Sequence, residues 1–179
     1  MASLLVVTGP PGAGKSTVAR ELADRAERSV LVEGDRFFAF LARGAIEPWR
    51  PESREQNTVV TVAAGAAAGA YARGGYTTVY DGVLGPWFLS TFGGATGLDR
   101  FDDAVLLPPA DVCVERVATR VGHEFTDEPA TRKMHADFAE AVGEVPARHV
   151  LRDLPASPAE VAAVVESLRI TGALAYEVT

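Results

Sequence analysis

Apolar residues along this chain gather into two kinds of stretch that alternate from one end to the other. The first kind is short, and several of its members are β-branched or apolar runs: 3–8 (Ser-Leu-Leu-Val-Val-Thr), 29–33, 76–81, 103–107 and 148–152. Runs of that length predict strands, and where polar alternation is lacking they fit strands covered on both faces. The second kind is longer and predicts helices over 15–27, 35–43, 53–73, 109–120, 130–142 and 158–169. Strands that alternate with helices predict an α/β fold built on a parallel sheet, because each parallel connection needs a crossover. The punctuation agrees. Gly74-Gly75 closes the long helix before the third strand. Ser157-Pro158-Ala159-Glu160 opens the last helix with an N-cap serine, a first-position proline and a glutamate at the third position.

The segment 53–73 is crowded with alanine and carries Gly65 and Gly69, which predicts close helix packing and not chemistry. Residues 171–179 fit either a small edge strand or a loose tail. No repeat, linker or second composition divides the chain, so one domain over 1–179 is expected, long enough to bury a full core. A net charge of -7 argues against a large nucleic-acid footprint. A single cysteine, Cys113, leaves no internal disulfide and suits a reducing compartment. No signal-peptide pattern or membrane-length apolar run is present, so the sequence reads as a soluble cytoplasmic protein, monomeric or homodimeric. The three histidines, His123, His135 and His149, lack metal-ligand spacing.

Chemistry enters at the turn after the first strand. Gly9-Pro10-Pro11-Gly12-Ala13-Gly14-Lys15-Ser16-Thr17 matches the phosphate-binding P-loop, G-x-x-x-x-G-K-[ST], at each constrained position. The glycines let successive backbone N–H groups turn inward around a phosphate, and the following helix start adds partial positive charge. In that arrangement Lys15 reaches the β- and γ-phosphates and the Ser16 hydroxyl holds Mg²⁺. The motif predicts a bound nucleoside triphosphate.

Two acids stand where ligands of open α/β sheets sit, at the carboxyl ends of strands. Asp35 follows the second strand and, beside a P-loop, suits a base that accepts the proton of an attacking hydroxyl; an N-cap on the helix at 35–43 is the alternative, and the two roles are not exclusive. Asp81 ends the third strand, where a carboxylate orients the Mg²⁺ shell or contacts an acceptor. Arg116 and Arg120 lie one helical turn apart, and Arg132 follows a Gly- and Pro-bounded loop. Arginines beside such a loop can close over a γ-phosphate. The irregular stretch 44–54 borders a possible substrate site, with Trp49, Arg54, Asn57 and Phe38 as contacts alongside Asp35 and Asp81. Phe37, Trp87 and Phe88 are further aromatic candidates for an acceptor pocket.

In this order of P-loop, acid after strand two, acid after strand three and arginine-bearing segment, the chain resembles the small P-loop kinases. That group contains chloramphenicol phosphotransferase, the zeta-toxin kinases, gluconate and shikimate kinases and the polynucleotide kinase domain. The resemblance implies a five-stranded parallel sheet of order 2-3-1-4-5 with a helical lid over about 116–134. It also implies ATP with Mg²⁺, and transfer of a phosphoryl group to the hydroxyl of a small molecule with Asp35 as general base. Arg116, Arg120 and Arg132 would serve the transfer, and the loop at Asp153 would neighbour the adenine. The chain departs from shikimate kinases in lacking a D-x-D pair, with Glu33-Gly34-Asp35 the nearest approach. Two other readings use the same motif. One is a nucleotide-dependent regulatory switch, although the guanine-reading Asn-Lys-x-Asp is absent. The other is a nucleic-acid 5′-end kinase, which the acidic balance disfavours.

Overall fold

A computed structural model describes residues 3–119 and 125–178. Strands β1 (Ser3–Thr8), β2 (Ser29–Glu33), β3 (Thr77–Asp81), β4 (Arg100–Leu106) and β5 (Val150–Leu151) run parallel in the order β2-β3-β1-β4-β5. The sheet has a sixth strand, β6 (Ala175–Glu177), antiparallel to β4. The five parallel strands stand in the expected order, and of the two readings of 171–179 the small edge strand is the one that forms; it also draws the start of β4 back to Arg100, opposite Glu177.

Alternate residues of the central strand explain why its sequence is apolar without a break. Leu4 and Val6 face one core, with Ala64, Ala68 and Ala72 of α3 (Arg54–Arg73), Leu89 and Phe92 of α4 (Pro86–Thr96), and Phe138 of α6 (Glu128–Ala141). Leu5 and Val7 face the other, with Val18 and Leu22 of α1 (Lys15–Asp24), Cys113 of α5 (Ala110–Thr119), and Val161 and Val165 of α7 (Pro158–Ile170). Helices therefore cover both faces, and α2 (Asp35–Ala39) sits after β2. The capping box at Ser157 and Glu160 forms as expected.

Where α3 meets α4, a Cβ on Gly69 would lie 2.0 Å from the Thr96 carbonyl oxygen, so only glycine permits the approach. Arg73 donates to the same carbonyl. The helix α4 itself was absent from the sequence reading. Its aromatic- and glycine-rich residues carry weak helical propensity, and Pro86 at the first position is the local signal for it. The parallel step from β3 to β4 requires such a crossover in any case.

Several predicted limits move. The helix expected over 35–43 stops at Ala39 and the first helix at Asp24. The strand expected over 148–152 shrinks to Val150–Leu151, because Ala147–His149 forms a 3₁₀ turn. That turn buries His149 completely, with its Nδ1 3.4 Å from Oδ2 of the equally buried Asp103 on β4. Burial pushes the Asp103 carboxyl above the usual carboxylate range, with the His149 contact opposing it. His149 is thus a structural residue under the sheet edge, and His123 lies outside the described residues. Among the described residues, no helix is long and apolar enough to cross a membrane.

Candidate active site

The sheet register aligns the three strand ends that matter. Asp81 stands opposite Val7 on one side and Glu33 on the other, and the Gly34 amide donates to the Asp81 carbonyl at 2.6 Å. The P-loop after β1, Asp35 after β2 and Asp81 at the end of β3 therefore open onto one edge. Thr8 stitches that edge, donating from Oγ1 to the Leu84 carbonyl at 2.7 Å and accepting from the Leu84 amide at 3.0 Å.

Gly14 is the N-cap of α1 in a left-handed conformation, with no side chain closing the helix start. The first-turn amides keep their capacity for an anion, which is how a helix N-terminus holds phosphate. Gly12 has φ +79°, and a Cβ there would sit 2.2 Å from the Cys113 carbonyl oxygen, so α5 packs directly on the loop. One turn along α5, Arg116 brings Nη1 to 3.4 Å from the Gly12 carbonyl oxygen. Arg116, Gly12, Gly14, Lys15, Ser16 and Thr17 line a recess of about 170 Å³. Lys15 is only 8% exposed, and its Nζ donates to the Pro10 carbonyl at 3.0 Å.

Asp81 is 7% exposed and one of its carboxylate oxygens, Oδ1, is buried without a hydrogen-bond partner among the described residues. Burial raises its pKa; Lys15 and a hydrogen bond from the Ser16 hydroxyl draw it back, while Asp35 and Glu33 push it up again. A partnerless carboxylate oxygen beside a hydroxyl and a phosphate loop is an oxygen-only donor set, which fits a hard cation such as Mg²⁺. The raised pKa also carries a stability consequence. The folded state binds the Asp81 proton more tightly than the unfolded chain, so stability falls as pH rises from the ordinary carboxylate value through the raised one. Asp81→Asn removes that loss. It is expected to stabilise the ligand-free protein at neutral pH by about 1 kcal/mol, and, if Asp81 holds Mg²⁺, to abolish the extra thermal stability that Mg²⁺ with nucleotide would confer. Thermal melts across pH with and without Mg²⁺-nucleotide check both; a variant less stable than wild type at neutral pH contradicts the first.

Beyond the phosphate loop the edge widens into a cleft of about 930 Å³. Pro11, Lys15, Ser16, Asp35 and Asp81 form its near end. Phe38, Trp49, Arg54, Asn57 and Phe88 also line it, so these candidates share one cavity with the two acids. Asp35 is exposed within it, and the N-cap of α2 is Gly34, so Asp35 does not take the capping position. Phe37 packs against the core instead of lining the cleft.

Irregular residues 44–50 hold their shape because the start of α3 ties them down. Gln56 exchanges two hydrogen bonds with Ile46, at 2.8 and 2.7 Å, and Asn57 donates to the Pro48 carbonyl at 2.8 Å. This presents Trp49, whose ring lies 5.1 Å from that of Phe125.

Three predicted site residues stand apart. Arg132 pairs with Asp111 at 2.8 Å and Glu128 at 2.9 Å and lines neither recess; its neighbour Lys133 lines the cleft. Asp153 is exposed beyond β5 and also lines neither. Arg120 lies outside the described residues. Sequence reasoning missed Tyr80, Phe125, Met134 and Phe138 as cleft walls. Tyr80 is recoverable from its place next to Asp81; the α6 residues carry only the signal of an amphipathic helix.

A family model described as an AAA domain matches residues 4–145, which include the P-loop, both acid-bearing strand ends and α6. No curated protein matches the chain. Among solved structures, the tunicamycin resistance protein of Deinococcus radiodurans superposes with a TM-score of 0.68 at 16% identity, over 94% of this chain and 96% of that one. A sugar kinase from Janibacter sp. HTCC2649 gives 0.67 at 22% identity, over 97% and 98%. Shikimate kinase from Acinetobacter baumannii, solved with shikimate, gives 0.66 at 18%, over 97% and 96%. At these identities the likeness concerns the fold. With the motif, the strand order and the matched family model in agreement, the chain belongs to the AAA-domain family and has a P-loop kinase-like fold.

Proposed function

We propose that this protein is an ATP-dependent phosphotransferase that moves the γ-phosphoryl group to a hydroxyl of a small molecule. The observation that carries the reading is the convergence of Lys15, Ser16, Asp35 and Asp81 on one end of a cleft that continues well past the phosphates. A pure nucleotide switch has no need of that further volume.

In this reading the loop amides and Lys15 bind and orient the triphosphate, with Lys15 neutralising charge on its β- and γ-phosphates. Ser16 and Asp81 hold Mg²⁺, which supplies further neutralisation of phosphate charge when bound. Asp35 accepts the proton of the acceptor hydroxyl as its oxygen attacks the γ-phosphorus and the bond to the β-phosphate oxygen breaks. Arg116 stands at the rim of the phosphate recess and stabilises charge on the departing side, with Arg120 following it on the lid segment of a single domain. Arg132 serves that segment through its ion pairs. Most of the rate enhancement is then positioning and electrostatic preorganisation.

The test is γ-labelled ATP incubated with Mg²⁺ and a panel of hydroxylated acceptors. Label is expected in an acid-stable phosphate ester of an acceptor. Label released only as inorganic phosphate, together with nucleotide-dependent capture of a protein partner, favours the switch. Salt-sensitive labelling of oligonucleotide 5′ ends favours a nucleic-acid kinase.

A further inference from the structure

We infer that the acceptor is a bulky, uncharged alcohol with an aromatic or aliphatic body, and not a small polyol or an anionic one. The inference rests on the phosphotransfer reading above and concerns the far half of the same cleft.

Two observations carry it, the first being the wall. Both tryptophans of the chain line the cleft, on different elements: Trp49 on the tied-down loop before α3, and Trp87 on α4. Each has an aromatic neighbour that lines the same space, Phe125 at 5.1 Å from Trp49 and Phe138 at 5.4 Å from Trp87. Trp87 keeps 37% of its surface exposed although Pro86 and Leu89 of the same helix are buried. Large rings left partly open to solvent on two different elements gain by being covered, roughly in proportion to the apolar area removed from water. A polyol laid against such walls gives up water bonds and meets few replacements. The volume agrees. With its phosphate end included, the cleft measures about 930 Å³, near the top of the range of about 300–1,000 Å³ found for sites that enclose drug-sized ligands, so it has room for a bulky acceptor beside the phosphates.

The second observation is charge. Four cations line the cleft, Lys15, Arg50, Arg54 and Lys133, against five carboxylates. Lys15 belongs to the phosphate end, Arg50 is paired with Glu47 at 2.5 Å, and Lys133 with Asp137 at 2.7 Å. Among the described residues, Arg54 alone of the four is left to meet an anionic group on the acceptor. With Asp35 and Asp81 at the phosphate end beside Lys15, and with Arg50 and Lys133 paired, a carboxylate or phosphate in the far half meets Arg54 against Glu140 and Glu144.

The two tryptophans also report on their own occupancy, so intrinsic fluorescence reads acceptor binding without turnover. We would titrate the Mg²⁺-ADP-loaded protein with glucose, gluconate, phenyl β-glucoside and naphthyl β-glucoside, and measure ADP release with each in the presence of ATP. The aromatic glucosides are expected to bind about thirtyfold or more tightly than glucose, and gluconate more weakly than glucose. Trp49→Ala and Trp87→Ala are each expected to cut the aromatic preference about tenfold, while Trp49→Phe, which keeps a ring in place, retains most of it. Glucose or gluconate binding as tightly as the aromatic glucosides overturns the inference. So does an aromatic preference that survives both alanine variants, or no binding of either aromatic glucoside to protein that binds ATP. Failure to bind ATP, with the aromatic preference intact, sinks the phosphotransfer reading instead.

Discussion

Asp35→Asn is expected to lower phosphoryl transfer about 10²–10⁴-fold, to leave ATP affinity unchanged, and to keep or slightly raise folding stability at neutral pH, since the Asp35 charge is one that pushes the Asp81 carboxyl up. The argument follows from where the side chain stands. Asp35 begins a short helix behind Gly34, projects exposed into the cleft and buries nothing. Asparagine keeps the size and the polarity but cannot accept a proton. A structural aspartate would show the opposite split, with a lowered melting temperature and turnover reduced only in proportion. Isotopic transfer to an acceptor, ATP binding by calorimetry and a thermal melt read the three quantities separately. Full transfer in the variant removes Asp35 as the base.

Lys15→Ala is expected to cost more, about 10³-fold or beyond in turnover, together with most of the nucleotide affinity. Its effect reaches the free protein as well. Lys15 is a largely buried cation, and its charge is one of the influences that hold the Asp81 carboxyl down against burial and against Asp35 and Glu33. Without it the carboxyl pKa rises further. Since a raised folded-state pKa costs stability above the ordinary carboxylate value, the variant loses stability at neutral pH and recovers it on acidification. Melting temperatures from pH 7 downward should therefore converge with those of wild type, or cross them. Lys15→Met, which keeps the apolar stem, separates lost packing from lost charge. Unchanged ATP affinity in either variant contradicts the phosphate-loop assignment.

How far the sequence could be read depended on whether a feature was local. The P-loop is nine consecutive residues, so its chemistry is written in one place, and the acids at 35 and 81 are found by asking where strands end. The parallel sheet follows from the alternation of elements, the strand order is what the family resemblance implies, and both hold. Features that depend on a distant partner were not legible. The choice between edge strand and tail over 171–179 stays open in the sequence because β6 is three residues long and forms only where β4 offers an edge to it. Arg132 looks like any cation near a loop until Asp111, on another helix, is seen 2.8 Å away. Phe125, Met134 and Phe138 reveal themselves as walls only once α6 is folded against the cleft. The helix α4 escaped because its glycines and aromatics mask the helical period, and the small residues of α3 that receive it were legible only as a packing surface.

The Gln56 and Asn57 clamp on residues 46–48 has a consequence for how such a protein diversifies. The donor machinery hangs on the central strands, where register fixes it. Trp49 rides on a loop stapled to one helix end, with no strand beneath it. Because the clamp holds backbone atoms of Ile46 and Pro48, exchange of the side chains at Pro48 and Trp49 would re-cut the far wall while the phosphate half stays as it was. Within this architecture, a new acceptor is a matter of a few exposed positions, and the energy-coupling half of the molecule is inherited intact.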